Sequence, residues 1–347
     1  MVTSTESVLT VHVPELRQVM RQALLGAGAS GHEANLQTHL LLEAELRGHP
    51  SHGIRRLPLL LERIRNGKAI LGNEPAIEWT TECVAHIDGH NGLGAVVADA
   101  AVRAARERAA VNGVALACVR HANHIGMLAP YVEQLSSDDM IGIALTTSEA
   151  LVHPWGGHRP LVGTNPIGVA MPTGDGHSFV LDMSTAAVSM GKILDHGERT
   201  LPLPEGWAIN AQGQSTTDAS LVQAISPFGG SKGFALGVAF ELLVAVLTRS
   251  SMGTDVRGTL DATEPATKGD LFIAISLECL GLKDMLPAVS EYLVELKQSS
   301  TNPDIPVLIP GERAQASRQQ RLRDGVQVTA GVWHQVLHDI HTHREQS

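Results

Sequence analysis

Between Gly72 and about Leu280 the chain alternates two textures, and this alternation restricts its fold more than any other feature. Short β-forming runs, CVAHIDG, VALACVR, IGIALTTS and SFVLDMS, are separated by alanine-rich helical stretches such as AVVADAAVRAARERAAVNG. Strand runs interleaved with helical ones build layered α/β units in which helices cover a sheet. The flanks read differently. PELRQVMRQALLGAG has Pro14 at a good first helical position, apolar residues at helical spacing and glycines at its end, and EANLQTHLLLEAELRG repeats the pattern. The first ~70 residues are therefore predicted to be helical. Past Leu280, LPAVSEYLVELKQ is helical, a proline-rich crossing (NPDIPVLIPGE) follows, and an arginine-rich helix and a last helix from Thr329 close the chain.

At 347 residues the chain has room for two domains with separate cores, and 43% hydrophobic residues describe an ordinary globular protein. The longest apolar stretch, Gly233 to Thr248, contains Glu241 and is shorter than the ~20 residues of a bilayer span, so it is expected to be a buried core helix. MVTSTESV has no basic region followed by an apolar run, which argues against a signal peptide and for the cytoplasm. Cys83, Cys118 and Cys279 are scattered in apolar sequence and read as buried thiols rather than a disulfide or zinc set. A formal charge of −10 leaves no basic stripe for nucleic acid. Small molecules and further copies of the chain are the expected partners.

Gly92-Leu-Gly-Ala-Val-Val97 follows a strand-like run and opens a helix, as a dinucleotide fingerprint should. Val97 stands where the third glycine belongs and no acidic residue ends a strand twenty residues on, so a tight turn into a helix fits better. Ser226-Pro-Phe-Gly-Gly-Ser-Lys-Gly-Phe is the better anion site: a glycine-rich loop feeds a helix, whose free N–H groups and dipole attract phosphate beside Lys232, though a plain helix start with a solvated lysine has the same pattern.

Histidines come in pairs three or four apart: His49 and His52, His86 and His90, His121 and His124, His334 and His338. That spacing suits a metal on one helix face, but no HExxH occurs, no cysteine is near any pair, and His86 and His90 straddle a turn-like Asp88-Gly89. The tail pair, with His341 and His343, reads as a solvated helix face. Proton transfer near neutrality is histidine's other use. His124 follows a strand in HANHIGM, where loops hold functional groups, and His52 in RGHPSHGIRR precedes Arg55 and Arg56, whose planar forks match a carboxylate. For an isolated histidine, a cap or a surface site is the plainer assignment.

The joint pattern is more specific. SHGIRR, ANHIG, GTNP, LDMSTAAVSMGK, LPEGWAIN, TTD and GGSKGFALG occur in this order over nearly the whole chain, which resembles the malate/L-lactate dehydrogenase type 2 family, with its ureidoglycolate, sulfolactate, diketogulonate and cyclic-imine enzymes. The resemblance implies an α/β (α+β) fold with a non-Rossmann, layered nucleotide-binding domain over 76–295 and a helical domain built from 1–75 and 296–347. It implies NAD or NADP as cofactor, a 2-hydroxy or 2-oxo acid as substrate, no metal, and a homodimer with its active site near the subunit interface. By the same resemblance His124 is the catalytic acid/base and Ser51 and His52 belong to the active site. Arg56 (with Arg55 the second choice) and Asn165 then contact substrate, and Ser148, Asp182, Met183, Ser184, Lys232 and Arg313 contact cofactor. HANHIG replaces an asparagine-rich version, and Leu60 stands where some members have a substrate-facing tyrosine. These departures bear on the substrate. A cyclic-imine reductase, a metal-dependent hydrolase using the paired histidines and a non-catalytic dinucleotide-binding protein are the alternatives.

Overall fold

The computed structural model describes residues 8–302 and 304–345. The MVTSTES segment, Pro303 of the proline-rich crossing and the side chains of His341 and His343 lie outside the described residues.

Strand β1 (Val8–Val11) leads to α1 (Val13–Gly26) and α2 (Gly31–Leu46), the latter entered through a capping box between Ser30 and Glu33. Two 3-10 turns, Pro50–His52 and Ile54–Arg56, run into α3 (Leu57–Arg65). Then come β2 (Ala76–Trp79), β3 (Val84–Gly92), α4 (Gly94–Asn112), β4 (Val114–Ala122), α5 (Ala129–Ser136), β5 (Met140–Thr146), β6 (Ile167–Pro172) and β7 (Ser178–Met183). The chain continues through α6 (Met190–Glu198), β8 (Ala208–Ile209), β9 (Ala224–Ile225), α7 (Ser231–Thr248) and β10 (Gly269–Ser276). It ends with α8 (Leu286–Gln298), α9 (Glu312–Asp324), β11 (Val326–Thr329) and α10 (Ala330–Glu345).

The central sheet has the order β2-β3-β4-β10-β5-β6-β7. Only β3 and β4, joined by α4, run parallel; the other neighbours are antiparallel. A Rossmann sheet is parallel throughout, so the incomplete glycine fingerprint opens a different architecture. The two-residue period of β10 sends Phe272 and Ala274 into the core under α4 and α5, and Leu271 and Ile273 toward α7 on the other face. Alanines 95, 98, 101, 105 and 109 of α4 are all buried, and their small side chains let that helix lie close to the strands.

The chain's two ends share a second core. Leu16, Met20, Leu24, Leu42 and Leu57 pack with Val326, Val328, Trp333 and Val336, and β1 pairs antiparallel with β11. Between the cores runs an ion network: Arg47 at the end of α2 meets Glu43 at 3.0 Å and Glu133 of α5 at 2.5 Å, and Glu43 meets Arg318 of α9 at 2.9 Å.

Two expectations are corrected. Helix α7 is not a buried core helix: about a third of it is buried, and Leu236, Leu242, Leu243 and Val246 are exposed. Its eighteen residues are long and apolar enough for a membrane span by length and composition only. It is seated here by Glu241, which is buried and accepts the N–H groups of Gly163 and Gly253 and the amide of Asn165. The cysteines differ too, since Cys118 is buried, Cys83 half-buried and Cys279 exposed. Strands β1, β2, β6, β8, β9, β10 and β11 are not among the runs the sequence marks, β6 because IGVAMP mixes strand formers with glycine and proline.

Candidate active site

His124 lies in the loop from β4 to α5, and that loop is fixed along its length. Asn123 donates to the carbonyls of Asn91 (2.7 Å), Gly92 (3.0 Å) and Lys68 (3.2 Å) and accepts from Arg63 Nε at 2.8 Å. Tyr131 donates its hydroxyl to Ile125 O at 2.7 Å. Asp182 of β7 accepts the Leu128 and Ala129 N–H groups at 2.7 and 2.8 Å, capping α5 from across the sheet. Below sits Gly94, the second glycine of the incomplete fingerprint, where an added Cβ would stand 2.2 Å from His124 O and 2.5 Å from Asn123 O. That glycine is needed to let the histidine loop come close.

His52 approaches from the helical part on the first 3-10 turn, with Gly53 ending the turn. Its Nδ1 lies 3.1 Å from His124 Nε2, and the rings are parallel to within 8°. Burial, then the charges of Arg56 and His49, push the His52 pKa down to about 3. Burial, then Arg56, His52 and Lys268, hold His124 well below the ordinary imidazole range. Both rings are therefore neutral at physiological pH, and a single proton lies between them, carried by one ring or the other.

Arg56 is tied by Nε to Ser51 O at 3.1 Å and by Nη1 to Thr259 O at 2.9 Å. These are neutral acceptors, so its charge remains uncompensated by any close carboxylate among the described residues. Burial lowers its pKa, and the charge of Glu149 works the other way. Arg56, Leu59, Leu60 and Arg63, at positions i, i+3, i+4 and i+7, present one face to a small cleft, partly open to solvent. Gln37, Asn123, His124 and Thr259 complete its polar lining, and Gln37 Oε1 is buried without a hydrogen-bond partner. Glu149 holds the far wall by accepting the N–H groups of Thr259 and Leu260, each at 2.8 Å. Behind His124, Lys268 and Asp270 form a buried pair at 2.5 Å.

The other expected residues fall into three places. Ser51 borders the cleft turn and packs on Gly191 of α6, where an added Cβ would stand 2.7 Å from Ser51 Cβ. Arg55 turns away and meets Glu198 at 3.6 Å. Asn165 is fully buried and spends its amide protons on Gly237 O and Glu241, so it supports the GTNP loop rather than facing the cleft.

Ser148, the 182–185 segment and the loop before α7 are neighbours, joined through Ser148 Oγ to the Thr164 N–H (2.8 Å), Thr185 N–H to Thr164 O (2.9 Å) and Phe228 N–H to Thr185 O (3.0 Å). Within this group the Asp182 carboxyl is buried and engaged with α5, its pKa pushed up to about 6 by burial against those N–H bonds. Met183 is exposed, Ser184 bonds weakly to Ala186 O at 3.4 Å, and Lys232 is exposed on the first turn of α7. Arg313 is exposed at the start of α9, and Gly311, just before it, lies against Val180 of β7.

The ring contacts join different histidines from those the spacing pairs. His52 meets His124, while His121 and His90 both turn to Asp88, at 3.0 and 3.5 Å. Among the described residues no three His, Cys, Asp or Glu side chains gather as a metal site would require. Sequence reading missed Arg63, Asn123, Gln37, Thr259 and Glu149. The four-residue step from Leu59 to Arg63 and the asparagine in HANHIG were signals for the first two. Nothing local marks the others, which arrive from distant segments.

The arrangement, a buried neutral base beside an unpaired guanidinium, can hold an organic acid and move one proton. Comparison with known proteins agrees. The family model described as malate/L-lactate dehydrogenase matches residues 11–337. Malate/(S)-sulfolactate dehydrogenase of Methanothermus fervidus is 37% identical over 90% of this chain and 92% of its own. A dehydrogenase structure from Sinorhizobium meliloti superposes with a TM-score of 0.93 at 43% identity, covering 96% of this chain and 99% of that one. Sulfolactate dehydrogenase from Methanocaldococcus jannaschii gives 0.91 at 34% identity, covering 97% and 98%. With its cleft histidine, its antiparallel-dominated sheet and these matches along nearly its whole length, the chain belongs to the malate/L-lactate dehydrogenase family of oxidoreductases.

Proposed function

We propose that the protein interconverts 2-hydroxy acids and 2-oxo acids by hydride exchange with NAD or NADP, as a cytoplasmic homodimer. The observation that carries this is His124, hydrogen-bonded to His52, lining with Arg56 a cleft that no carboxylate side chain among the described residues lines. The names of the relatives, malate and sulfolactate dehydrogenases, supply the substrate class.

Arg56 receives the substrate carboxylate, a charge-assisted contact that fixes the orientation of the reacting carbon. His124 takes the hydroxyl proton in oxidation or returns it in reduction, and its bond to His52 offers that proton a second site. Ser51 borders the reacting oxygen. Burial, then the charges of Arg56, His52 and Lys268, oppose a proton on His124. A bound carboxylate offsets Arg56, so a 2-oxo acid brings the acid form of His124 within reach when it arrives.

The dinucleotide fits beside this cleft. Gly229 and Gly230 precede α7 with φ of +56° and +67°, the helix has no side-chain cap, and Lys232 projects from its first turn. Such a start presents N–H groups and positive charge to a phosphate. When bound, the nicotinamide supplies or accepts the hydride. Ser148, the 182–184 segment, Lys232 and Arg313 are the proposed contacts. The exposed stripe Leu236, Leu242, Leu243 and Val246 on α7, with Tyr292 and Val294 on α8, supports a second copy as its cover.

The test follows absorbance as NADH and NADPH, in separate assays, meet the protein with pyruvate, oxaloacetate, sulfopyruvate, 2-oxoglutarate or cyclic imines. Consumption of one reduced cofactor with a 2-oxo acid is expected. Consumption with cyclic imines alone would move the assignment to an imine reductase, and no consumption together with no dinucleotide binding would overturn it.

A further inference from the structure

The reaction as proposed leaves one buried acid beside the site unused. Glu45, in the last turn of α2, is 1% exposed. Its carboxyl lies directly beneath the turn that carries Ser51 and His52. Oε1 accepts the Ile54 N–H at 2.9 Å. A Cβ added at Gly53 would stand 2.0 Å from Glu45 Oε1, 2.4 Å from Cδ and 2.7 Å from Cγ, and no other atom is as near. Gly53 has φ −95° and ψ −145°, outside the left-handed region that favours glycine. The glycine in Ser-His-Gly is thus required by a neighbouring side chain. The acid cannot yield to a side chain at 53 without leaving the Ile54 N–H.

We propose that Glu45 is a positioning residue: its carboxyl group fills the space a side chain at 53 would occupy and anchors the Ile54 N–H, holding the turn so that His52 meets His124. This rests on reading His52 and His124 as the proton-handling pair. The charges facing Glu45 are both cationic, Arg55 of the second 3-10 turn and Arg321 of α9, which also donates to the Glu45 backbone carbonyl. Burial nevertheless pushes the acid up to about 7, against the Ile54 N–H bond and those two charges. It therefore changes charge in a range where His52 and His124 stay neutral.

Two sets of variants test this in the full-length protein. Glu45→Gln keeps an oxygen for Ile54 and removes the titration, so its kcat should stay within about twofold of wild type while any step in the pH profile near neutrality disappears. Glu45→Ala removes the anchor and should lower kcat about tenfold or more with KM for the dinucleotide unchanged. Gly53→Ala should lower kcat about tenfold in the wild-type background and by less than about twofold when added to Glu45→Ala, because the clashing group is gone. The same cycle is read independently of turnover by thermal unfolding midpoints. Equal harm from Gly53→Ala in both backgrounds, tolerance of it in wild type, or equal loss in Glu45→Gln and Glu45→Ala would each overturn the proposal. Absence of turnover in wild type would overturn the assigned reaction, and the unfolding cycle would still decide the role of Glu45.

Discussion

His121 and His124 are three residues apart, the first at the end of β4 and the second in the loop after it, and behave as different chemical groups. His121 stands exposed at the end of its strand with φ +52°, where it, His90 and Arg120 surround Asp88. Burial would raise the pKa of Asp88, but the His90 N–H, His121 and Arg120 outweigh it and keep the carboxylate ionised. In the cleft the signs are reversed: burial and the charge of Arg56, joined at His124 by that of Lys268, oppose a proton on either His52 or His124. Surroundings, not residue type or spacing, set which histidine is a neutral base.

The largest effect that would break this comparison is on turnover. His124→Ala should lower kcat/KM by ~100-fold or more, about 3 kcal/mol of transition-state stabilisation, while His121→Ala stays within about twofold. Comparable losses in both, measured by steady-state kinetics, would remove the distinction. Next is Arg56→Gln, expected to raise KM for the organic acid ~30-fold, about 2 kcal/mol, by losing a charge-assisted contact, with dinucleotide KM unaltered. Gly94→Ala drives a methyl group into the His124 and Asn123 carbonyls and should cost about 1–3 kcal/mol of stability by denaturant unfolding, with activity falling in proportion to loop displacement. The smallest effect sharpens the contrast from the other side. Asp88→Asn, at an exposed cluster, should change stability by less than about 0.5 kcal/mol and kcat/KM not at all.

The sheet was legible where its strands are continuous β-forming runs, as in VALACVR and IGIALTTS, and the helical flanks where apolar spacing and caps agree. Antiparallel pairing was not, because β10 inserts between β4 and β5 from more than a hundred residues away, and nothing local encodes that neighbour. The SHGIRR and HANHIG segments already held His52, Arg56, Asn123 and His124. Their mutual geometry was hidden, since His52 and His124 meet only when α2 and α3 dock on the sheet. Asn165 and Asp182 show the converse. Both sit in distinctive motifs, and both side chains are spent on support, Asn165 on α7 and Asp182 on α5. The α7 helix misled for a physical reason: a mostly apolar helix reads as core, and this one leaves its second face outside its own chain.

The central claim is that His124 in the cleft and His52 bonded to it are kept neutral by burial and cations until a substrate carboxylate arrives. Histidine titrations by NMR, with assignments from His52→Gln and His124→Gln, test it directly in the free protein and with oxamate, a non-reducible 2-oxo acid analogue. Free, neither His52 nor His124 should titrate in the ordinary imidazole range around ~6.5. Oxamate should raise the His124 midpoint by offsetting Arg56. Folded pKa values below the unfolded one also mean that stability is full above about pH 6.5 and falls as the solution is acidified, since unfolding then takes up protons at these sites. A cleft histidine titrating near 6.5 in the free protein, or a His124 midpoint indifferent to oxamate, would contradict the account.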